Sequence, residues 1–79
     1  MRKRTDAIKA VQVAASRAEA KHGLKWCGSP YVTHEQRLYI VMTEMHEVED
    51  AVVKGDEVRL KEELLDVMGA MLGWLEVLG

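Results

Sequence analysis

Apolar side chains recur every three or four residues along most of the chain, and this spacing is typical of one face of an α-helix. The first stretch with this spacing carries Ile8, Val11, Ala15 and Ala18. A second stretch follows it from Leu38 to Val52, and a third begins at Glu57. No alternation of apolar and polar residues is long enough to form a strand. We therefore expect an all-α fold class with three helices.

Capping residues mark the limits of the first two helices. Thr5 suits the N-cap of helix 1, which we expect to run to about His22, because Gly23 suits the position after a helix end. Thr33, with Gln36 three residues later, has the spacing of a capping box and predicts the start of helix 2. The segment between these two helices is the only real loop that we expect.

A tight hairpin joins helices 2 and 3, because Gly55 suits the end of one helix and Asp56 the N-cap of the next. Helix 3 then continues through residues 67–75, which carry no charge, and such a segment must be covered on all sides. Gly69 and Gly73 either let another helix approach or are simply tolerated in a buried helix. We expect a short three-helix bundle built round the antiparallel hairpin and completed by oligomerisation, as a homodimer or homotetramer.

Composition limits the class of protein. The 79 residues allow one small domain, 1–79, and the 30 % of charged residues with no long apolar run exclude a membrane protein. Residues 1–25 hold seven Lys or Arg and two acids, whereas residues 26–79 hold four and eleven. The acidic remainder argues against nucleic-acid binding. The single cysteine, Cys27, suits a reducing compartment, so we expect a cytoplasmic protein.

Two pairs of acidic residues are each spaced three residues apart, Glu44 with Glu47 and Glu63 with Asp66. Glu47 and Glu63 both lie eight residues from Gly55, and Glu44 and Asp66 both lie eleven residues from it. At 1.5 Å rise per residue, the facing carboxylates are at matching heights, roughly 12 and 16 Å from the turn. The hairpin therefore predicts a cluster of four carboxylates.

Four negative charges on one partly apolar surface are unfavourable unless a cation binds between them. At the positions three and four residues away, only Arg59 beside Glu63 supplies a positive charge. All-oxygen ligation suits a hard divalent ion, so we expect Mg²⁺, with Mn²⁺ as the alternative. The competing interpretation is a solvated acidic face without a function, because such pairs are common in a chain with 13 acidic residues.

The acidic segments carry a family resemblance. Residues 43–51 have the sequence TEMHEVEDA, residues 61–67 have the sequence KEELLDV, and fifteen residues separate Glu47 from Glu63. This pattern resembles the EExxE…ExxD signature of the MazG-like all-α nucleoside triphosphate pyrophosphatases, a superfamily that also includes dimeric dUTPases and phosphoribosyl-ATP pyrophosphatase. The resemblance covers about residues 20–78.

The resemblance implies that four carboxylates bind Mg²⁺, which holds the triphosphate and a water that attacks the α-phosphorus. These carboxylates are Glu44, Glu47, Glu63 and Asp66. The chain departs from the family at Thr43, where the signature has its first Glu, and at Gly79, where larger members continue into a helix with phosphate-binding Lys or Arg. We expect such groups to come from elsewhere in the chain or from a neighbouring subunit, or to be absent.

The remaining candidates support this chemistry. We assign the acceptance of the water's proton to Glu47 as the catalytic residue, with Glu44 as the alternative. Lys25 is the first candidate for phosphate binding because it has no local partner, and Lys54 is another, although it also suits the end of helix 2. Trp26 either stacks on a nucleobase or fills the end of the bundle as a hydrophobic plug.

The sequence thus favours a Mg²⁺-dependent hydrolase of phosphoanhydride bonds, a nucleotide pyrophosphohydrolase. Its expected reaction converts a (d)NTP to the (d)NMP and pyrophosphate. We expect this reaction to remove noncanonical or excess nucleotides. Two alternatives remain open. One is phosphoribosyl-ATP pyrophosphatase, and the other is a non-catalytic helical oligomerisation or interaction module that retains the acidic patch.

Overall fold

The computed structural model describes residues 3–79, which form three helices. Helix α1 spans Lys3–His22, α2 spans His34–Lys54 and α3 spans Glu57–Leu78. A 3₁₀ turn at Gly23–Lys25 follows α1, and no strand occurs in residues 3–79. The prediction of an all-α chain with packed helices 2 and 3 is confirmed. None of these helices is long and apolar enough to cross a membrane.

The caps of the hairpin helices follow the expected local chemistry. The Thr33 hydroxyl accepts a hydrogen bond from the Gln36 N–H at 3.1 Å, and the Thr33 N–H donates to the Gln36 side chain at 2.8 Å. Gly55 ends α2 with a φ of 68°, a left-handed conformation that only glycine adopts at no cost. The Asp56 carboxylate then accepts the Arg59 N–H at 3.0 Å and caps α3.

The start of helix 1 differs from the prediction. Helix α1 already begins at Lys3, so Thr5 lies within its first turn and does not cap it. Lys and Arg are good helix formers, and Lys3 and Arg4 extend the helix past the threonine. The other end agrees with the prediction, because α1 stops at His22 and Gly23 takes a φ of 56°.

Helix α3 is the central element, because it packs against both α1 and α2. Across residues 3–79, no Cα atom of α1 lies within 8 Å of a Cα atom of α2. The two outer helices therefore leave a gap above α3. The buried aliphatic side chains that join the helices are short: Ala15, Val41, Val48, Ala51, Val67 and Ala70.

The two glycines of α3 make contacts within the chain. A Cβ atom built on Gly69 would lie 3.0 Å from the backbone nitrogen of Ala15, so α1 approaches α3 closely at this point. A Cβ atom on Gly73 would lie 2.6 Å from the ring of Trp26. Trp26 is only 9 % exposed, and it also packs on Gly28. Both glycines thus contact other parts of the same chain, α1 at Gly69 and the Trp26 ring at Gly73.

A buried arginine organises the loop between α1 and α2. Arg37 is 2 % exposed, and its guanidinium donates to the carbonyl oxygens of Cys27 and Ser29, each at 2.6 Å. Its third hydrogen bond, of 3.1 Å, goes to Nδ1 of His34, which also accepts Nε1–H of Trp74 at 3.0 Å. Since both partners are donors, the ring proton of His34 lies on Nε2. The loop, α2 and α3 are joined at this point.

Replacing Arg37 with Ala is expected to lower the free energy of unfolding by about 3–5 kcal/mol, because two buried carbonyl groups lose their donors. In a domain of this size such a loss lowers the melting temperature by roughly 15 °C or more. Thermal denaturation followed by circular dichroism measures it. Arg37→Lys keeps the charge but lacks the planar guanidinium that reaches both carbonyl groups, so it should restore little of the lost stability. The matched control is Lys9→Ala on the exposed side of α1. Equal melting temperatures for Arg37→Ala and the control would contradict the role of this guanidinium.

Candidate functional site

Three carboxylates meet at the hairpin. Glu44 of α2 and Glu63 and Asp66 of α3 each place one oxygen within 4.8 Å of the others. Glu44 and Glu63 are partly buried and Asp66 is exposed, so the group lies at the edge of the core with one side open to solvent. Three oxygen ligands at this separation suit a divalent cation such as Mg²⁺ or Mn²⁺.

The charged form of Glu44 is disfavoured in this arrangement. Burial raises the pKa of the Glu44 carboxyl, and the nearby charges of Asp66, Glu63 and Glu47 raise it further. Lys21 is the cation that opposes this rise. A carboxyl whose charged form is disfavoured by burial and by three like charges is stabilised when a positive ion enters the group. Like-charge crowding of this kind is common at functional sites.

Glu47, the fourth expected ligand, is not brought into this group. Its Oε2 atom lies 2.5 Å from Nη2 of Arg59, and the same guanidinium bonds Asp50 at 2.6 Å. The Arg59 Nε atom also lies 3.7 Å from a Glu63 oxygen, so Arg59 stands beside the carboxylate group. Hydrogen bonds from Arg59 and Lys54 lower the pKa of Asp50. Glu47 therefore flanks the three carboxylates and is held by an ion pair.

A cleft of about 610 Å³ is lined by two of the three carboxylates, those of Glu44 and Asp66. Helix α1 forms one wall, α2 forms the other, and α3 contributes side chains including Asp66 and Ala70. Glu44 also lines the cleft. Its volume falls in the range of about 300–1,000 Å³ that holds small-molecule ligands in proteins. The gap between the outer helices is thus a concave site with an acidic side.

The remaining predicted residues divide into two groups. Lys25 and Trp26 line the cleft, and the buried ring of Trp26 is packed on Gly28 and Gly73. Lys54 does not line the cleft and instead lies 3.0 Å from Asp50 near the hairpin turn. Lys25 lines the cleft and has no carboxylate oxygen within 4.0 Å among residues 3–79.

Sequence reasoning missed three further residues of the cleft. Arg17 and Lys21 of α1 line it beside Lys25, and Tyr39 of α2 lines the opposite wall with 74 % of its surface exposed. The signal for the cations was present, because Arg17, Lys21 and Lys25 are spaced four residues apart. Nothing in the local pattern indicated that this row would face the acidic hairpin.

Cys27 is the only cysteine, and it is 2 % exposed. Burial raises the pKa of its thiol, so the thiolate needed for nucleophilic attack is disfavoured. Cys27 is therefore a poor candidate for a nucleophile in the cleft.

Comparisons with models of known protein families, with curated proteins and with solved structures found no match to this chain.

Replacing Glu44 with Gln is expected to stabilise the metal-free protein at neutral pH. Because the folded-state pKa of Glu44 is raised, its protonated form contributes stability below the ordinary value, and this contribution is lost as pH rises through the raised value. The advantage of Glu44→Gln over wild type should therefore grow with pH. Urea denaturation over a pH series, with Glu49→Gln on the exposed face of α2 as the control, measures it. A Glu44→Gln variant that is less stable than wild type at pH 7 would contradict the like-charge crowding.

Proposed function

We propose that this protein is a Mg²⁺-dependent nucleoside triphosphate pyrophosphohydrolase, which cleaves a (d)NTP to the (d)NMP and pyrophosphate. The observation that supports this most is the carboxylate group of Glu44, Glu63 and Asp66 at the side of a cleft large enough for a nucleotide. The same cleft carries basic side chains, so both a cation and the phosphates that accompany it find complementary charge. The family resemblance of the acidic segments points to the same reaction class.

The proposed roles follow from the positions of the side chains. Glu44, Glu63 and Asp66 hold Mg²⁺, with Mn²⁺ as the alternative, and Glu47 accepts the proton of the attacking water. Arg59 binds one oxygen of Glu47 and leaves Oε1 without a hydrogen-bond donor among residues 3–79, so Arg59 orients this carboxylate. When bound, the metal ion neutralises phosphate charge and lowers the pKa of water. Removal of noncanonical or excess nucleotides is the proposed role.

Pyrophosphate release from a panel of (d)NTPs in Mg²⁺ tests this proposal. We expect activity that is abolished by EDTA and reduced by roughly 100-fold or more in Glu44→Gln, Glu63→Gln or Asp66→Asn, because each removes a charged metal ligand. The matched controls are Glu49→Gln on α2 and Glu76→Gln on α3, two exposed carboxylates outside the group.

Several outcomes would contradict the proposal. A folded protein that is inert to every nucleotide in both Mg²⁺ and Mn²⁺ would favour the non-catalytic interaction module. A preference for phosphoribosyl-ATP over all (d)NTPs would favour that pyrophosphatase instead. Equal activity of Glu44→Gln and wild type would show that the carboxylate group takes no part in the reaction.

The surface of the hairpin supports the proposed oligomer. One stripe on α2 and one on α3 consist of apolar residues that are 41–66 % exposed. They are Leu38, Met42, Met45 and Val52 on α2, and Leu64, Met68, Met71, Leu75 and Leu78 on α3. Both stripes have the alternating spacing of four and three residues that lets helices pack side by side, interrupted on α2 by Glu49.

The exposed area agrees with this proposal. The chain has 6128 Å² of accessible surface, whereas a folded monomer of this mass typically has about 4,800 Å². The excess exceeds the roughly 800 Å² that each partner buries in a standard interface. We propose that two copies join their hairpin stripes to form a four-helix core, as a homodimer or as the unit of a homotetramer.

Met71→Glu is expected to convert the oligomer to monomers, because it places a charge in the centre of the stripe on α3. Light scattering coupled to size-exclusion chromatography at micromolar concentration measures the mass. Val58→Glu is the matched control, since Val58 is 74 % exposed, lies outside the stripe, and tolerates an acid at the start of a helix. A wild-type protein that elutes as a stable monomer would contradict the proposed assembly.

A further inference from the structure

The cleft between α1 and α2 has two walls of opposite charge. Glu44 and Asp66 provide negative charge on the side formed by α2 and α3. Arg17, Lys21 and Lys25 provide positive charge on the side formed by α1 and the turn that follows it. One ligand that fits both walls must itself carry a cation and several negative charges.

The three cations differ from the other basic residues at the hairpin. Lys54 and Arg59 are engaged with carboxylates, whereas none of Arg17, Lys21 and Lys25 has a carboxylate oxygen within 4.0 Å among residues 3–79. Lys21 lines the same cleft as Glu44 and Asp66. These cations thus line one cleft together with Glu44 and Asp66 and form no ion pair among residues 3–79.

The rest of the lining suits the other parts of a nucleotide. Ala10 and Ala18 contribute small side chains to the α1 wall of the cleft. Tyr39 offers an exposed aromatic ring on the α2 wall beside Ile40. An aromatic ring with a free face is the group on which a nucleobase stacks.

We propose that Arg17, Lys21 and Lys25 bind the phosphates of a nucleoside triphosphate whose metal ion lies at the carboxylate group, and that Tyr39 stacks on its base. This inference rests on the proposed function and names its substrate-binding residues. The phosphates then lie between the carboxylate-bound metal and the basic row. The base lies towards α2, where Tyr39 replaces Trp26 as the stacking residue.

Steady-state kinetics with the preferred (d)NTP in Mg²⁺ tests the basic row. We expect Arg17→Ala and Lys21→Ala each to raise KM by roughly 10- to 100-fold, with a smaller effect on kcat, because each removes a charged hydrogen-bond donor from the phosphates. Lys21→Arg should recover much of the loss. Lys9→Ala, which removes a charge from α1 outside the cleft, is the matched control and should leave KM unchanged.

Tyr39 is tested separately from the cations. Tyr39→Phe keeps the ring and should bind the nucleotide like wild type, whereas Tyr39→Ala should weaken binding by roughly tenfold. Equal binding by Tyr39→Ala and Tyr39→Phe would show that the base does not stack on Tyr39.

A binding assay separates failure of this inference from failure of the proposed function. Calorimetry measures the affinity for the magnesium complex of an α,β-methylene nucleoside triphosphate, which cannot be cleaved at the α–β bond. Suppose that wild type hydrolyses nucleotides but Arg17→Ala and Lys21→Ala match Lys9→Ala in KM and affinity. The phosphate-binding role of the basic row is then wrong, whereas the proposed enzymatic function is retained. If wild type binds the analogue, loses binding in Lys21→Ala and hydrolyses nothing, the inference stands while catalysis is rejected. Absence of binding by wild type overturns both.

Discussion

The length of the turn between α2 and α3 is the constraint on which the site depends. Gly55 adopts a left-handed conformation and Asp56 caps the next helix, so only two residues separate the helices. This connection fixes the register of the hairpin, and Glu44 and Asp66, eleven residues from Gly55 on either side, meet at one height. Burial raises the pKa of Glu44, and the charges of Asp66, Glu63 and Glu47 raise it further, so the hairpin holds a carboxyl whose charged form is disfavoured.

The features that the sequence predicted are those set by neighbouring residues. The capping box at Thr33, the left-handed Gly55 and the cap at Asp56 depend on contacts within a few positions, and all three are present. Thr5 shows the limit of such rules, because a capping residue preceded by good helix formers lies inside the helix. The meeting of Glu44 and Asp66 was predictable for the same reason, since it follows from counting residues along two helices from one turn, whereas Glu47, expected in the same cluster, pairs with Arg59.

The features that were not predicted depend on tertiary position. Arg59 pairs with Glu47 and Asp50, twelve and nine residues away, so a search of positions three and four residues distant found Arg59 only beside Glu63 and could not find these two pairs. The role of Arg37 could not be predicted either, because its guanidinium donates to backbone carbonyls, and every residue has a backbone carbonyl. The row of cations on α1 was visible as a spacing, but its role depends on how α1 lies across α3, which the helical pattern does not determine.

The position of α1 has a consequence for the dynamics of the chain. Helix α1 contributes a single buried residue, Ala15, and it contacts α3 without touching the backbone of α2. Elements with few buried side chains open locally at lower free-energy cost than well-buried ones, so we expect the amide hydrogens of α1 to exchange faster than those of the hairpin. A ligand that bridges α1 and the carboxylates would supply the contact that the polypeptide lacks and slow that exchange. If the proposed ligand binds there, occupancy of the cleft and order in the first helix are thermodynamically linked.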